Sequence, residues 1–378
     1  MAPPHQMHLG HLMHPMRPMI KAPLYNFSPG PAMLPAPVLA TIKTDLAQTS
    51  AGNTFLELSH RSPQVIEMAE QAEADLRSLL NIPESFAILC LQGGARQQFG
   101  VLPLNLFYQE SVVDYLVSGY WSAMAATAAA KAVTTQIVFD TAQQSVTQLM
   151  DTAWQYHPQA RFLHYTDNET IEGVELPKLT VPNKLLVADM TSSLLTKPID
   201  WPAYAAIYAG TQKNLGIAGL TLVILRKNLI GPGHPLLPDT LNYQIQAQAQ
   251  SMYNTPPVFN WYVMGLVLKW AKQQGGIRVL AQAAKARAKL VYQCIDNSAL
   301  YHNALPLPLR SRLNIPFTLT KPKLESLFLQ QAQQNGLISL RGHPKVGGIR
   351  ASLYNAMPYA GAVALVDFMQ DFEIQHAQ

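Results

Sequence analysis

Charge is sparse in this chain: 13% of its 378 residues are charged, with 27 basic against 23 acidic side chains and no block of one sign. Without a basic stripe there is no electrostatic footprint for nucleic acid or an anionic membrane surface, and neither is expected as a partner. Cysteine is scarcer still. Cys90 and Cys294 are the only two, with no CxxC or Cys/His pairing. That spacing argues against a disulfide framework and a structural zinc site, and it fits a reducing cytoplasm. No run of about 18 apolar residues occurs, so no membrane-spanning helix is predicted, and no signal-peptide core is evident. What is abundant is apolar side chain, at 48% of the sequence. That is enough for one large core and a second, smaller one.

Residues 1–20 carry His5, His8, His11 and His14 at three-residue spacing, with Met7, Met13, Met16 and Met19 between them. Imidazole and thioether ligands of this kind could hold copper. Prolines and the lack of apolar periodicity favour a disordered extension, or a start assigned upstream of a true one at Met19, and no metal site is expected. Beyond it, short apolar runs at 86–91, 114–117, 162–165, 185–188, 205–209 and 220–225 read as strands. Most end in a glycine-rich or polar tip and lead into a helical pattern, such as 64–80 or 122–131. Repetition of strand, polar tip and helix predicts an α/β fold with a mostly parallel sheet, whose tips at consecutive strand ends converge on one site. From about 305 onward, short strands at 315–319, 337–340 and 349–353 alternate with helices at 323–334 and 357–372, a smaller α+β unit. The long helix 276–294 joins the two.

Lys213 stands just past the strand 205–209. A glycine-rich turn holds exposed lysines routinely, but at a strand end beside a crevice desolvation would lower the amine's pKa and make it a nucleophile for imine formation. Asp189 ends an all-apolar strand one step earlier and needs a cationic partner if buried. Gly93-Gly94-Ala95-Arg96 follows another strand, and a glycine turn opening a helix offers backbone N–H groups to a phosphate, with Arg96 adding a bidentate donor. It matches neither the P-loop nor the dinucleotide fingerprint. Trp121 ends a further strand, placed either to stack on a planar ring or to pack in the core. The turn from Arg341 through His343, Lys345 and Gly347-Gly348 to Arg350 gathers basic side chains around glycines, as a carboxylate or phosphate site would. His60-Arg61 before a helix reads either as an anion site or as surface charge. A planar cofactor with a phosphate, a ring nitrogen and an aldehyde would use these features together, and pyridoxal 5'-phosphate is such a cofactor.

Several longer motifs carry a family resemblance. They are Asn26-Phe27-Ser28-Pro29-Gly30-Pro31-Ala32-Met33-Leu34-Pro35, Ser59-His60-Arg61, Gly119-Tyr120-Trp121 and Asn168-Glu169-Thr170-Ile171-Glu172-Gly173. Further on stand Tyr208-Ala209-Gly210-Thr211-Gln212-Lys213-Asn214, Asn254-Thr255-Pro256-Pro257 and Gly347-Gly348-Ile349-Arg350-Ala351-Ser352. From about Tyr25 to Phe372 the chain resembles the phosphoserine aminotransferases, fold-type I pyridoxal phosphate enzymes of class V. The resemblance implies a large domain over 21–275 with a seven-stranded sheet, its residues 21–36 forming a loop at the site, and a small domain over 276–378. It implies that Lys213 bonds the cofactor, Asp189 holds its ring nitrogen, Trp121 stacks on it, and Ala95 N–H and Arg96 bind its phosphate. Thr170 and Gln212 would contact ring substituents, and Asn254 and Thr255 would reach the phosphate held by a neighbouring subunit, making a homodimer with shared sites. Arg350 would take the substrate α-carboxylate, with Ser28, His60, Arg61 and His343 around the rest of the substrate.

The implied reaction moves an amino group between L-glutamate and 3-phosphohydroxypyruvate, giving O-phospho-L-serine and 2-oxoglutarate in serine biosynthesis. A phosphorylated four-carbon oxo acid of vitamin B6 synthesis is a second candidate substrate. Two positions depart from the family pattern. Ala95 stands where a third glycine is common and still offers its N–H. Pro344 stands where an arginine often follows the histidine, and proline has neither cation nor N–H. Lys345 or Arg341 is expected to supply the missing charge. An aminotransferase for unphosphorylated substrates is the alternative that Pro344 would suit, and a metal-binding or carrier protein is the alternative outside enzymes.

Overall fold

The computed structural model describes residues 23–47, 54–150 and 153–376, so the histidine- and methionine-rich start lies outside the described residues. Seven strands form the central sheet: β1 (Phe86–Gln92), β2 (Val113–Val117), β3 (Thr135–Asp140), β4 (Phe162–Thr166), β5 (Leu185–Asp189), β6 (Tyr204–Gly210) and β7 (Leu220–Arg226). Their spatial order is β1-β7-β6-β5-β4-β2-β3. Strand β7 runs antiparallel to β1 and β6, and the other pairings are parallel. Continuous apolar runs form these strands because both faces of the sheet are covered. Along β7, Leu222 and Ile224 enter the core on one face while Val223 and Leu225 enter the core on the other. Each such side chain contributes about 1.5–3 kcal/mol on full burial. Strand β3 was not expected from the sequence. It is an edge strand whose pattern Thr-Gln-Ile-Val-Phe-Asp is only partly buried, so it lacks the unbroken apolar run of the interior strands.

A third core lies toward the C-terminus. The three-stranded sheet of Tyr301–His302, Asn314–Leu319 and Ile349–Ser352 packs with the helices Gly276–Asp296, Glu325–Gln334 and Tyr359–His376. Phe328 sits at its centre, with the rings of Tyr301, Phe317, Phe368 and Phe372 around it. The expected strand 337–340 stops at Ile338, because Ser339 takes a φ of 64° and turns the chain out of the ladder. Those two residues pair in parallel with Tyr25–Asn26. The N-terminal segment is thereby anchored on this layer before its loop crosses to the central sheet.

Candidate active site

The carboxyl ends of β2, β4, β5 and β6 open on one cavity of about 310 Å³. Among its lining residues are Gly94, Ala95, Arg96, Trp121, Thr170, Asp189, Gln212, Lys213, His343 and Arg350. The two-sided burial of β5 and β6 brings Asp189 and Lys213 to neighbouring strand ends, since β5 and β6 pair in parallel. Burial lowers the Lys213 amine to about 8, with Arg350 adding to the effect and Asp189 opposing it. The Asp189 carboxyl is pushed up by burial, while the Thr191 N–H donated at 2.9 Å and the charge of Lys213 hold it down. Both groups are thus driven toward neutrality by desolvation, and each opposes that in the other.

Trp121 forms one wall. Its Nε1–H donates to Thr170 Oγ1 at 3.0 Å, and the Lys213 amine and the Arg96 guanidinium lie 5.9 and 5.4 Å from its ring centre. Arg96 belongs to the first turn of the helix Ala95–Leu102, whose leading N–H groups have no acceptor within the helix. Arg350 is 6% exposed. Its Nη1 donates to the Thr170 carbonyl at 2.8 Å, and its Nε–H has no partner among the described residues. A buried guanidinium with an idle donor beside a cavity is fitted to take a carboxylate. Burial draws it below its ordinary value, and Tyr354 and Glu172 oppose the shift. Pro29 and Gly30 close the cavity from the N-terminal loop, tied down by Ala32 N–H to the Gln212 carbonyl at 2.9 Å and by Tyr354 O–H to the Pro29 carbonyl at 2.7 Å. The approach is close enough that a Cβ on Gly30 would lie 3.4 Å from Lys213 Cγ, at a φ of 135° that L residues rarely adopt.

At the mouth, the His343 ring lies 6.0 Å from that of Tyr120, and Lys345 places its amine 4.4 Å from the centre of the Tyr120 ring. Burial, then the charges of Arg350 and Lys345, lower the His343 imidazole. Arg341 is exposed on the same turn. Ser28 is not among the lining residues, although its neighbours Pro29 and Gly30 are. Four more expected residues, like Ser28, Arg341 and Lys345, are not among its lining residues. His60 is buried and Arg61 exposed just ahead of the helix Pro63–Leu80. Asn254 lines a different cavity with Gly93 and Gln97, and the neighbouring Thr255 accepts from Gln92 Nε2 at 2.5 Å through its carbonyl. Gly93 and Gln97, in that second cavity with Asn254, flank the turn Gly94 to Arg96 that faces the first. Phe99, Thr166, Thr191 and Ser192 also line the cavity from outside the motifs quoted above, and Asn168 and Ile171 line it from within one, with no role expected of them. Thr166 and Thr191 flank strand ends already identified, which was the available signal.

An α/β sheet that brings a lysine, an aspartate and the first turn of a helix to one cavity at its strand ends fits an aminotransferase architecture. The aminotransferase class-V family matches residues 24–365, and the chain belongs to that family. Solved phosphoserine aminotransferases are similar to it over nearly their whole length. One shares 36% identity at a TM-score of 0.89, covering 94% of this chain and 99% of its own. The enzyme of Bacillus circulans subsp. alkalophilus shares 35% at 0.88, covering 93% and 99%. That of Trichomonas vaginalis, solved with PLP bound, shares 35% at 0.86, covering 92% and 99%.

Proposed function

We propose that this chain is a pyridoxal 5'-phosphate-dependent phosphoserine aminotransferase. It exchanges an amino group between L-glutamate and 3-phosphohydroxypyruvate, giving O-phospho-L-serine and 2-oxoglutarate. The observation that carries the reading is the pair Lys213 and Asp189, a half-buried amine and a buried carboxyl at adjacent strand ends that desolvation drives toward neutrality. A cationic ring nitrogen beside Asp189 restores a charge partner, and bonding of Lys213 to an aldehyde removes the need to bury its ammonium, so the residues present fit this cofactor.

When bound, pyridoxal phosphate supplies an electron sink for the carbon that bears the amino group. Lys213 would hold the cofactor and, with its amine free, would take and return the substrate α-proton with Nζ. Near pH 8 that amine passes readily between base and acid. Asp189 keeps its negative charge toward the ring nitrogen, Trp121 covers a ring face, and Thr170 and Gln212 meet the ring substituents. Ala95 N–H and Arg96 hold the phosphate. Arg350 receives the α-carboxylate common to both amino acids in a fork that lysine cannot copy. His343, Ser28 and Lys345, with Arg341 nearby, take the distal phosphate or carboxylate, and the four-carbon phosphorylated oxo acid of vitamin B6 synthesis suits the same groups. The Pro29–Gly30 cover limits water at Lys213.

The active unit is a homodimer. Asn254, Thr255, His60 and Arg61 lie away from their own cavity, as residues completing a neighbour's site would. The free thiols of Cys90 and Cys294 suit the cytoplasm, and among the described residues no helix is long and apolar enough to cross a membrane. Steady-state kinetics with phosphoserine and 2-oxoglutarate, on wild type and Lys213→Ala, test the reading. Wild type should turn over phosphoserine far faster than serine or alanine, and the variant should lose turnover. Equal rates with unphosphorylated substrates would refute the assignment.

A further inference from the structure

The hairpin from Asn168 to Glu175 gives Thr170 to the cavity wall, but Glu169 and Glu172 have no part in the reading above. Glu169 is fully buried, at 0% exposure. One oxygen accepts the Trp121 N–H at 2.9 Å, and the other accepts the Ser122 N–H at 2.8 Å and the Ser122 O–H at 2.6 Å. Glu172 accepts the Tyr120 N–H at 3.0 Å. These are the leading N–H groups of the helix Tyr120–Ala129, which find no acceptor inside it and form its positive end. Thr170, next to Glu169, completes the grip: its Oγ1 accepts from the Trp121 ring, and its carbonyl accepts from Arg350.

We propose that Glu169, supported by Glu172, is a positioning residue that sets the Trp121 ring and the Arg350 guanidinium at one mutual spacing. The surface that covers the cofactor and the fork that takes the substrate carboxylate are thereby held in register through a single hairpin. The inference rests on the functional reading of Trp121 and Arg350 given above. A carboxylate is needed because N–H donors face both oxygens, and a glutamine would turn its NH₂ against one of them. Gly119 is part of the same device. Its φ of 173° is ordinary extended backbone, yet a Cβ there would lie 2.7 Å from Glu172 Oε2 and 2.8 Å from Glu169 Cδ. The two carboxyl groups, not the backbone, exclude a side chain at that position. Burial and then the proximity of Glu172 push the Glu169 carboxyl up, and the Ser122 and Trp121 donors pull it back toward the charged form.

Glu169→Gln weakens the clamp chemically, and Gly119→Ala displaces the same carboxyl groups without altering them. Both variants are to be prepared as apoprotein and titrated with pyridoxal phosphate by quenching of tryptophan fluorescence, then assayed as holoenzyme with 2-oxoglutarate. The expected result is a rise of about tenfold in both the apparent Kd for the cofactor and the KM for 2-oxoglutarate, the effect of one lost charge-assisted hydrogen bond. Should Glu169→Gln fail to fold, Gly119→Ala gives the same readings. Wild-type Kd and KM in a folded variant, or a lowered melting temperature with both constants unchanged, would overturn the inference. A wild-type protein that neither binds pyridoxal phosphate nor absorbs near about 400–430 nm once loaded would instead overturn the functional reading, and this inference with it.

Discussion

Lys213 should be measurable as an abnormal lysine before any cofactor is added. Burial moves its amine from 10.5 to about 8. At pH 7 an amine titrating at 8 is neutral about one time in ten, while one titrating at 10.5 is neutral about three times in ten thousand, roughly a 300-fold gain in nucleophile. Trace acetylation of the apoprotein over a pH series, read peptide by peptide by mass spectrometry, compares lysines within one sample. Labelling of Lys213 should reach half its plateau near pH 8, more than two units before an ordinary exposed lysine. In Asp189→Asn the midpoint should fall further, because Asp189, ahead of Glu169, supports the charged form. The same shift has a stability consequence. Between pH 8 and 10.5 the unfolded chain holds the proton that the folded chain has lost, so stability rises with pH across that window. The stability difference between wild type and Lys213→Met should shift in favour of wild type by about 3 kcal/mol as pH rises through it. A labelling midpoint at or above pH 10 would show that the amine is solvated, and the reasoning from burial would fail.

Three further outcomes follow from the geometry. Arg350→Lys removes the guanidinium fork and its bond to the Thr170 carbonyl, so KM for glutamate and 2-oxoglutarate should each rise about 10- to 100-fold with a smaller change in kcat, read by steady-state kinetics. Lys345→Ala should raise KM for phosphoserine about tenfold, with Arg341→Ala weaker because Lys345 alone rests on Tyr120 at the mouth; an unchanged KM in the double variant would remove both from the substrate site. Phe328→Ala empties the centre of the C-terminal core, where Phe328 is 0% exposed, and urea denaturation should show a loss of about 3–5 kcal/mol.

The chemistry of the site was legible where the chain itself announced it. An apolar run long enough to be buried on both faces marks an interior strand, and a polar residue at its end, such as Asp189, is then conspicuous. Lys213 was legible for the same reason. The edge strand β3 was not, because one-sided burial leaves Thr135, Gln136 and Asp140 in a pattern that loops share. Nor was the pairing of Tyr25–Asn26 with Leu337–Ile338, since two-residue strands from opposite ends of the chain have no local period. Glu169 and Glu172 stood in a recognised motif, yet their task lies in N–H groups of a distant helix. Side chains that do chemistry are marked by their type, whereas side chains that hold them are marked only by partners far away in sequence.

Behind Asn168 and Ser192 of the cavity wall lies a set of buried amides and hydroxyls of this holding kind. Asn168 Nδ2 donates to Ser192 Oγ and to Asn314 Oδ1, both at 2.9 Å, and Asn314 Nδ2 donates to the Tyr354 hydroxyl at 3.0 Å, which in turn holds the Pro29 carbonyl. Asn214, next to Lys213, donates to the Ser192 carbonyl and accepts from the Asn355 N–H. The chain of bonds runs from the central sheet through the C-terminal layer to the loop over Lys213. An apolar core would join these layers as firmly but would tolerate sliding, because dispersion has little directional preference. Buried amides do not tolerate it: each donor left without its acceptor costs about 1–3 kcal/mol, so one register of the two layers is favoured over its neighbours. The activated lysine requires that register, since a small shift of the Pro29–Gly30 cover would admit water and return the amine toward its ordinary pKa.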